Sequence, residues 1–252
     1  MEQRIPLAAK LRPSSLSDMV GQDHLIGEGR PLRRIIESGM VPNMIFYGSS
    51  GLGKTTLAQI IAASAEKTLY KLNATTASTG DIKDIIGELD AIYNEKGVIL
   101  YLDEIQYFNK KQQQILLEFI ENGKITLIAS TTENPYFYVY NAILSRATIF
   151  EFRPVERTAV EKAVKRAFSF VETDGGIPVE VEDGVCSHIA ASCGGDVRKA
   201  VNTVELLTVC KVGQEKISVT LEDAKALSQK SNMKYDRDGD THYDILSAFQ
   251  KS

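Results

Sequence analysis

Short apolar runs alternate with amphipathic stretches between residues 42 and 152. The run Val98-Ile99-Leu100-Tyr101-Leu102 is apolar throughout, which is typical of a parallel strand buried on both faces. The other runs are similar in length and follow one another at intervals along this part of the chain. The pattern predicts five strands, at 44–47, 69–72, 98–102, 125–129 and 148–152.

Apolar residues at helical spacing occupy the intervals at 55–64, 82–93 and 112–120. Thr79 or Asp81 is the expected N-cap of the second of these helices, because a short polar side chain there can accept a backbone N–H. Alternation of strands and helices gives a parallel sheet wrapped by helices. The predicted fold class is α/β, with a parallel five-stranded sheet flanked by helices.

The pattern changes after Pro154, where helical stretches dominate, at 156–171, 181–192, 196–210 and 221–229. We expect a core domain at 1–153 and a small all-helical domain at 154–230. The segment 243–252 has an amphipathic helical pattern without a terminating glycine or proline. A chain cut from a longer one would end in this way, so 231–252 is expected to begin a further, truncated region.

The 252-residue chain has an ordinary globular composition, with 43% apolar and 25% charged residues and a net charge of −4. No apolar run has the roughly 18 residues of a membrane span, so no membrane association is expected. Its three cysteines lack C-x-x-C spacing, which indicates neither a disulfide framework nor a zinc site. The expected location is the cytoplasm. The negative charge argues against a wholly DNA-binding surface but is compatible with a local basic groove.

A glycine-rich segment, Gly48-Ser49-Ser50-Gly51-Leu52-Gly53-Lys54-Thr55, follows the first apolar run and opens a predicted helix. This order is the context of a P-loop, in which backbone N–H groups and the helix N-terminus face phosphate oxygens. Lys54 is predicted to bind the β- and γ-phosphates of ATP, and the Thr55 hydroxyl to ligate Mg²⁺. Thr56 is included in the same site. The alternative is a glycine-rich turn without a ligand.

Two adjacent acids, Asp103 and Glu104, follow the buried run at 98–102. Ligands of open α/β sheets bind at the carboxyl ends of the strands. Asp103 is predicted to contact Mg²⁺ through water, and Glu104 to be the base that orients the attacking water. A hydrolase needs such a glutamate, whereas a small-molecule kinase does not. The alternative is a pair of solvated acids at a strand end.

Four aromatic residues lie in the segment 136–140. Such rings can stack on nucleic-acid bases. Loop aromatics more often pack into a domain, and packing is the prediction for this segment.

These features resemble an AAA+ ATPase, and more narrowly the replication-associated recombination protein A (RarA, also called MgsA) family, over essentially the whole chain. Beyond the P-loop and Leu102-Asp103-Glu104-Ile105, the resemblance rests on Leu11-Arg12-Pro13, Val20-Gly21-Gln22, Ser130-Thr131-Thr132-Glu133-Asn134-Pro135, Leu144-Ser145-Arg146-Ala147, Gly195-Asp196-Val197-Arg198-Lys199-Ala200 and the residues 235–244. The last segment discriminates best, because clamp loaders share several of the others.

The resemblance implies a P-loop core followed by a helical lid. Val20, Gly21 and Gln22 would lie near the adenine. Thr132 would be the sensor of the γ-phosphate, with Asn134 as the less favoured candidate. Asn73 resembles the polar residue that restrains the catalytic glutamate in related ATPases.

The resemblance also implies roles for two arginines. Arg146 would be an arginine finger acting on the ATP of a neighbouring subunit, an effect of about 10³–10⁵ in rate. Arg198 would be a second sensor that reaches phosphate from the lid. From position alone, Arg146 could instead bridge an acid of its own domain, and Arg198 could be a surface residue.

The chain departs from the family pattern at several positions. Ser49 and Ser50 stand where the family usually has prolines, and Leu52 where it has threonine; serine restores N–H groups that proline lacks, so binding is expected to survive. Gln106 replaces a common histidine. The family's C-terminal oligomerisation domain is expected to be missing, so the chain should bind ATP and hydrolyse it poorly without an ordered neighbour for Arg146.

The function implied is a DNA-dependent ATPase acting in DNA replication and repair at stalled or damaged forks, with ATP and Mg²⁺ as cofactors. Expected partners are single-stranded or forked DNA, replication proteins and further copies of the chain, at the nucleoid. The alternatives are a clamp-loader-like subunit and an ATP-gated assembly subunit with little turnover. A metabolite kinase fits least, because the lid sequence offers no evident substrate pocket.

Overall fold

The computed structural model describes residues 5–91, 98–209 and 215–228. Within this part of the chain, five strands form one parallel sheet in the order β2-β3-β4-β1-β5. Their bounds are β1 Met44–Tyr47, β2 Thr68–Asn73, β3 Val98–Asp103, β4 Thr126–Thr131 and β5 Thr148–Glu151. The five predicted strands are thus confirmed, with small shifts at their ends.

Helices make up most of the remaining structure. They are α1 Leu7–Lys10, α2 Asp23–Ile26, α3 Pro31–Ser38, α4 Lys54–Ser64, α5 Thr79–Ala91, α6 Lys110–Glu121, α7 Pro135–Tyr138, α8 Asn141–Leu144, α9 Arg157–Gly175, α10 Val185–Ser192, α11 Val197–Val209 and a helix at 221–228, with 3₁₀ turns at Leu16–Asp18 and Ile105–Tyr107. In the described part of the chain, none of these helices combines the length and apolar character needed to cross a membrane.

The cap of α5 differs from the prediction. Ser78, not Thr79, precedes the helix, and its hydroxyl oxygen accepts a hydrogen bond from the Asp81 N–H at 3.4 Å. The Asp81 carboxylate in turn accepts from the Ser78 N–H at 2.6 Å. Asp81 therefore completes a reciprocal cap from the third helical position instead of standing before the helix.

Helices cover the sheet on both faces, which is why its inner strands are almost wholly apolar. One face packs on α4, through a cluster that includes Phe46, Ile99 and Leu57. The other packs on α6, through a cluster that includes Leu100 and Leu116. Because all five strands are parallel, their carboxyl ends meet at one edge of the sheet, called here the carboxyl edge, and their starts meet at the amino edge.

The chain divides into two compact units. Among the described residues, one comprises those of Arg12–Val155, and the other comprises those up to Leu11 together with those from Glu156 onwards. The prediction that the core begins at residue 1 is therefore wrong. In the second unit α1 contacts α11, and the Lys10 ammonium lies 2.6 Å from the Asp174 carboxylate.

The second unit is helical, as predicted, and also contains two strands that pair in parallel, β6 Val179–Val181 and β7 Ile217–Val219. The helix predicted at 181–192 is wrong at its start, because Val181 ends β6 and α10 begins at Val185. Alternation of valine and glutamate at 179–181 is a strand pattern too short to outweigh the helical spacing that follows. The predicted region at 231–252, the helix at 243–252 and the segment 235–244 lie outside the described residues.

The aromatic segment does not pack into the core as predicted. Tyr136, Phe137 and Tyr138 form α7 and are 65%, 82% and 49% exposed. Of the residues 136–139, Val139 alone is buried. The rings are therefore presented to solvent.

Candidate nucleotide-binding site

The P-loop connects β1 to α4 at the carboxyl edge. Gly48 has φ +140°, and a Cβ atom there would lie 2.4 Å from the Phe152 carbonyl oxygen, so the position requires glycine. Lys54, the first residue of α4, is 7% exposed, and its ammonium donates to the carbonyls of Gly48 at 2.6 Å and Ser49 at 2.8 Å. The loop thus contains a buried cation at a helix N-terminus, where phosphate groups bind.

The remaining P-loop residues have different environments. Leu52 is 3% exposed and belongs to the core cluster that packs on α4. Ser49 and Ser50 are exposed, while Gly51 and Thr56 are partly buried. The loop is therefore anchored by one apolar side chain and leaves its serines at the surface.

The segment that contains Val20 and Gly21 is attached to the P-loop by Gln22. The Gln22 side chain is buried; it donates to the carbonyls of Arg153 at 2.7 Å and Leu52 at 3.4 Å and accepts from the Arg153 N–H at 3.1 Å. A Cβ atom at Gly21 would lie 2.8 Å from Val155 Cγ1. Gln22 was predicted only as part of the segment near the adenine, and its role in attaching that segment to the P-loop was not predicted.

Four side chains at the carboxyl edge form a hydroxyl network, defined here as Thr55, Tyr101, Asp103 and Ser130. The Thr55 hydroxyl lies 3.0 Å from the Tyr101 phenol oxygen, which donates to Asp103 Oδ1 at 3.1 Å. The Ser130 hydroxyl donates to the same carboxylate oxygen. Burial, and secondarily the charge of Asp103, raises the pKa of Tyr101 above its ordinary value, so the phenol remains protonated and able to donate.

The hydroxyl network joins two residues that were predicted separately as magnesium ligands, Thr55 and Asp103. Hydroxyl and carboxylate oxygens are hard donors of the kind that Mg²⁺ takes. Magnesium in nucleotide sites uses one or two carboxylates and completes its coordination with phosphate and water oxygens. The donor set present is therefore suited to Mg²⁺ bound together with a nucleotide.

Glu104 occupies a less buried position beside this network. It has φ +57°, in the left-handed region, where the chain turns from β3 into the 3₁₀ turn Ile105–Tyr107. Its Oε2 accepts from the Gln106 side-chain amide at 2.5 Å and from the Thr132 hydroxyl at 3.4 Å. Gln106 Nε2 also donates to the Thr132 hydroxyl oxygen at 3.3 Å, while Gln106 Oε1 is buried with no hydrogen-bond partner among the described residues. One amide group therefore holds both Glu104 and Thr132.

The role predicted for Asn73 is not supported by its contacts. Asn73 pairs in register with Asp103 on the neighbouring strand. Its side-chain oxygen accepts from the N–H of Thr75 at 2.9 Å and from the Thr75 hydroxyl at 2.7 Å, which closes a local turn. The glutamate is held by Gln106 instead, a residue noted in the sequence only as a departure from the family pattern.

Thr132 and Asn134, the two sensor candidates, also differ in their surroundings. Thr132 follows β4 and faces Glu104, whereas the Asn134 side chain caps α7 by accepting from the Tyr136 N–H at 3.1 Å. The contact with Glu104 favours Thr132 as the sensor.

Arg146 lies at the opposite edge of the sheet from the P-loop. It stands two residues before β5, and its carbonyl accepts from Asn43, the residue before β1, at 3.4 Å. Its guanidinium pairs with Glu121 at 2.6 Å and donates to the Ala142 carbonyl at 2.9 Å. The length of β1, about 13 Å for four residues, separates this amino edge from Gly48. The intradomain ion pair considered as an alternative for Arg146 is thus present.

Arg198 belongs to the second unit, on the first turn of α11, and is exposed. The neighbouring Asp196 caps this helix by accepting from the Lys199 N–H at 2.8 Å. Arg198 therefore has the exposure expected of a surface residue, and its role as a second sensor remains a prediction.

The chain matches two family models. Residues 44–155 match the "ATPase family associated with various cellular activities (AAA)", and residues 175–252 match the "AAA C-terminal domain". The first match ends where the first compact unit ends. The matched core contains the P-loop, Asp103, Glu104 and Thr132.

Individual proteins show the same relationship. Replication-associated recombination protein A of Bacillus subtilis (strain 168) is 40% identical over 250 residues, which is 98% of this chain and 59% of that protein. The protein of the same name from Escherichia coli (strain K12) is 36% identical, covering 98% of this chain and 56% of that protein. The solved structure of the Thermotoga maritima RuvB Holliday junction branch migration motor has a TM-score of 0.69 and 26% identity, over 88% of this chain and 72% of that chain.

The chain spans somewhat more than half the length of these curated relatives. The family match implies that the P-loop binds nucleotide, and an ATPase family supports ATP hydrolysis as the reaction. With its AAA core, its helical second unit and its similarity along nearly the whole sequence, the chain belongs to the AAA+ ATPases of the replication-associated recombination protein A group.

Proposed function

We propose that this chain hydrolyses ATP, with stimulation by DNA, and acts in DNA replication and repair at stalled or damaged forks. The proposal rests on one observation above all: Glu104 adjoins the hydroxyl network of Thr55 and Asp103 at the edge that bears the P-loop lysine. A phosphate-binding cation, oxygen ligands for a metal and a base for water are the combination that hydrolysis requires. Binding alone would not need the base.

The residues divide the chemistry among them. Lys54 and the P-loop N–H groups would bind the phosphates, and Thr55 and Asp103 would hold Mg²⁺. When bound, Mg²⁺ would neutralise charge on the phosphate oxygens. Glu104 orients the attacking water and accepts its proton, while Gln106 and Thr132 keep its carboxylate in place.

Arg146 completes the site of a neighbouring copy of the chain. Its position at the amino edge favours this proposal, because its own P-loop lies at the far end of β1. The pair with Glu121 is half-exposed, and exposed ion pairs contribute only about 0–1 kcal/mol, so the guanidinium can be released at low cost. Arg198 serves as the second sensor in the same assembly of identical chains.

DNA is the proposed partner, in single-stranded or forked form. The names of the relatives, replication-associated recombination protein A and a Holliday junction branch migration motor, support this choice. The exposed rings of Tyr136, Phe137 and Tyr138 are of a type that stacks on unpaired bases. Replication proteins are the other proposed partners, and this function places the chain in the cytoplasm at the nucleoid.

The Glu104→Gln variant tests the proposal. It should bind ADP and ATP with unchanged affinity, because the amide keeps the size of the side chain, and lose at least about 10²-fold in turnover, because it removes the base. ATP hydrolysis with and without single-stranded, forked and duplex DNA is the measurement. Glu118→Gln, an exposed acid of α6, is the matched control and should hydrolyse normally. Normal turnover by Glu104→Gln would contradict the mechanism. Equal hydrolysis rates in the absence of DNA and in the presence of each of the three DNAs would contradict DNA as the partner.

A further inference from the structure

Tyr101 places a buried polar group in a strand that is otherwise apolar up to Asp103, its last residue. Its side chain is 1% exposed, in the middle of β3 and two residues before Asp103. Side chains alternate between the faces of a strand, so Tyr101 and Asp103 point to the same face, which is the face covered by α4. A phenylalanine would fill nearly the same space without burying a hydroxyl. The phenol oxygen therefore calls for an explanation beyond packing.

The directions of the hydrogen bonds in the hydroxyl network follow from which of its members has a proton to donate. An ionised Asp103 can only accept, and a tyrosine has a single O–H to donate. Because the Tyr101 proton is donated to Asp103 Oδ1, the phenol oxygen can only accept from the Thr55 hydroxyl. The Thr55 proton thus points into the network and its oxygen lone pairs point away from it.

Asp103 is oriented by the same arrangement. Its Oδ1 accepts from both Tyr101 and Ser130, and these two bonds fix the rotation of the carboxylate. Oδ2 receives neither of these bonds and remains available to a cation or to a metal-bound water. A metal ion binds lone pairs, so both residues are presented in the orientation that Mg²⁺ requires.

We propose that Tyr101 is a positioning residue of the magnesium site: its phenol orients the Thr55 hydroxyl and the Asp103 carboxylate toward one Mg²⁺ bound with the nucleotide. The inference rests on the proposed function, in which Thr55 and Asp103 hold that ion. Groups that orient metal ligands are commonly worth 10- to 100-fold in metal affinity or activity.

The test compares Tyr101→Phe with the unchanged chain. ADP binding is measured by isothermal titration calorimetry in the presence of Mg²⁺ and, separately, in the presence of EDTA. The expected result is a loss of about 10- to 100-fold in the affinity gained from Mg²⁺, with the metal-free affinity unchanged. Tyr107→Phe is the matched control, because Tyr107 is 63% exposed and lies outside the network. It should behave like the unchanged chain in both conditions.

Two results would overturn the inference. One is that Mg²⁺ raises the ADP affinity of Tyr101→Phe as much as that of the unchanged chain. The other is that Tyr101→Phe loses the same factor in ADP affinity with and without Mg²⁺, which a purely structural role would produce. Asp103→Asn separates this inference from the proposed function. If Asp103→Asn keeps the full gain from Mg²⁺, the proposed magnesium site is itself wrong. If Asp103→Asn loses the ADP affinity gained from Mg²⁺ while Tyr101→Phe keeps that gain, only the role of Tyr101 is overturned.

Discussion

The two edges of the central sheet differ in how completely they are built. At the carboxyl edge, Lys54 donates hydrogen bonds to the P-loop, the members of the hydroxyl network bond to one another, and Glu104 accepts from Gln106 and Thr132. At the amino edge, the Arg146 guanidinium forms a half-exposed ion pair with Glu121 and two hydrogen bonds within its own turn. The first edge is organised within a single chain, whereas the second presents a cation that its own nucleotide site cannot use.

This difference teaches how binding and catalysis are divided. Apart from Arg198 of the second unit, every group proposed to bind phosphate or Mg²⁺ lies at the carboxyl edge, so under the proposed function nucleotide binding needs only one chain. Under the proposed function, the charge that stabilises the transferred phosphoryl group comes from a neighbouring chain, since β1 separates Arg146 from its own P-loop. Catalysis at full rate would then require two chains, with the amino edge of one placed against the carboxyl edge of the next.

The largest expected effect is that of Arg146→Ala on ATP turnover in the full assembly. Turnover should fall by about 10³–10⁵-fold, because the guanidinium stabilises charge only in the transition state, while ADP affinity stays the same. Steady-state hydrolysis and ADP titration measure the two. Arg33→Ala, which removes a partly exposed arginine paired with Glu37 on α3, is the control and should leave turnover unchanged.

Mixing variants sharpens the comparison. Arg146→Ala keeps an intact carboxyl edge and Lys54→Ala keeps an intact amino edge, so a mixture of the two should recover part of the activity that each lacks alone. Absence of recovery in mixed assemblies would show that Arg146 does not act between chains.

An intermediate effect is expected from Gln106→Ala at the carboxyl edge. Loss of the amide removes the 2.5 Å hydrogen bond that orients Glu104, so kcat should fall about tenfold while KM is unchanged. Steady-state kinetics measure both constants. Gln106→Asn shortens the side chain and should restore little of the lost kcat. Gln112→Ala, which removes a side chain from the cap of α6, should leave kcat intact and lower only stability. A change confined to KM would contradict a role in orienting the base.

The smallest effect is expected from Glu121→Gln, which removes the partner of Arg146 within its own chain. The free energy of unfolding should change by no more than about 1 kcal/mol, because the pair is half-exposed. Denaturant unfolding measures this change, and turnover should be kept. A loss of turnover as large as that of Arg146→Ala would mean that the ion pair itself is the functional arrangement.

Much of the core could be predicted from local patterns. The five strands were predictable because each is a short apolar run bounded by turns, and the P-loop because its residues are contiguous. The start of the core was not predictable, because nothing local in Leu7-Ala8-Ala9-Lys10 indicates that it contacts α11. The exposure of Tyr136, Phe137 and Tyr138 was missed for the same reason: an aromatic ring is apolar in any position, and only its neighbours decide its burial.

The candidate site likewise contains features set by local sequence and features set by tertiary contacts. Asp103 and Glu104 follow β3 directly, so their location at the carboxyl edge depends only on the strand. The partners of these acids come from other strands or from the other side of a turn, as with Ser130 and Gln106. Asn73 was assigned to Glu104 by resemblance, and its local turn with Thr75 shows how a short-range hydrogen bond can compete with that role.

The sequence by itself determined the order of strands and helices, the P-loop and the acidic pair, because these depend on residues that are neighbours along the chain. The tertiary structure decided which residues lie together: that Tyr101 links Thr55 to Asp103, that Gln106 holds Glu104, and that Arg146 lies at the opposite edge from its own P-loop. Hydrogen bonds act over about 3 Å, and the folded backbone decides which groups, whether two or tens of residues apart, lie within that distance.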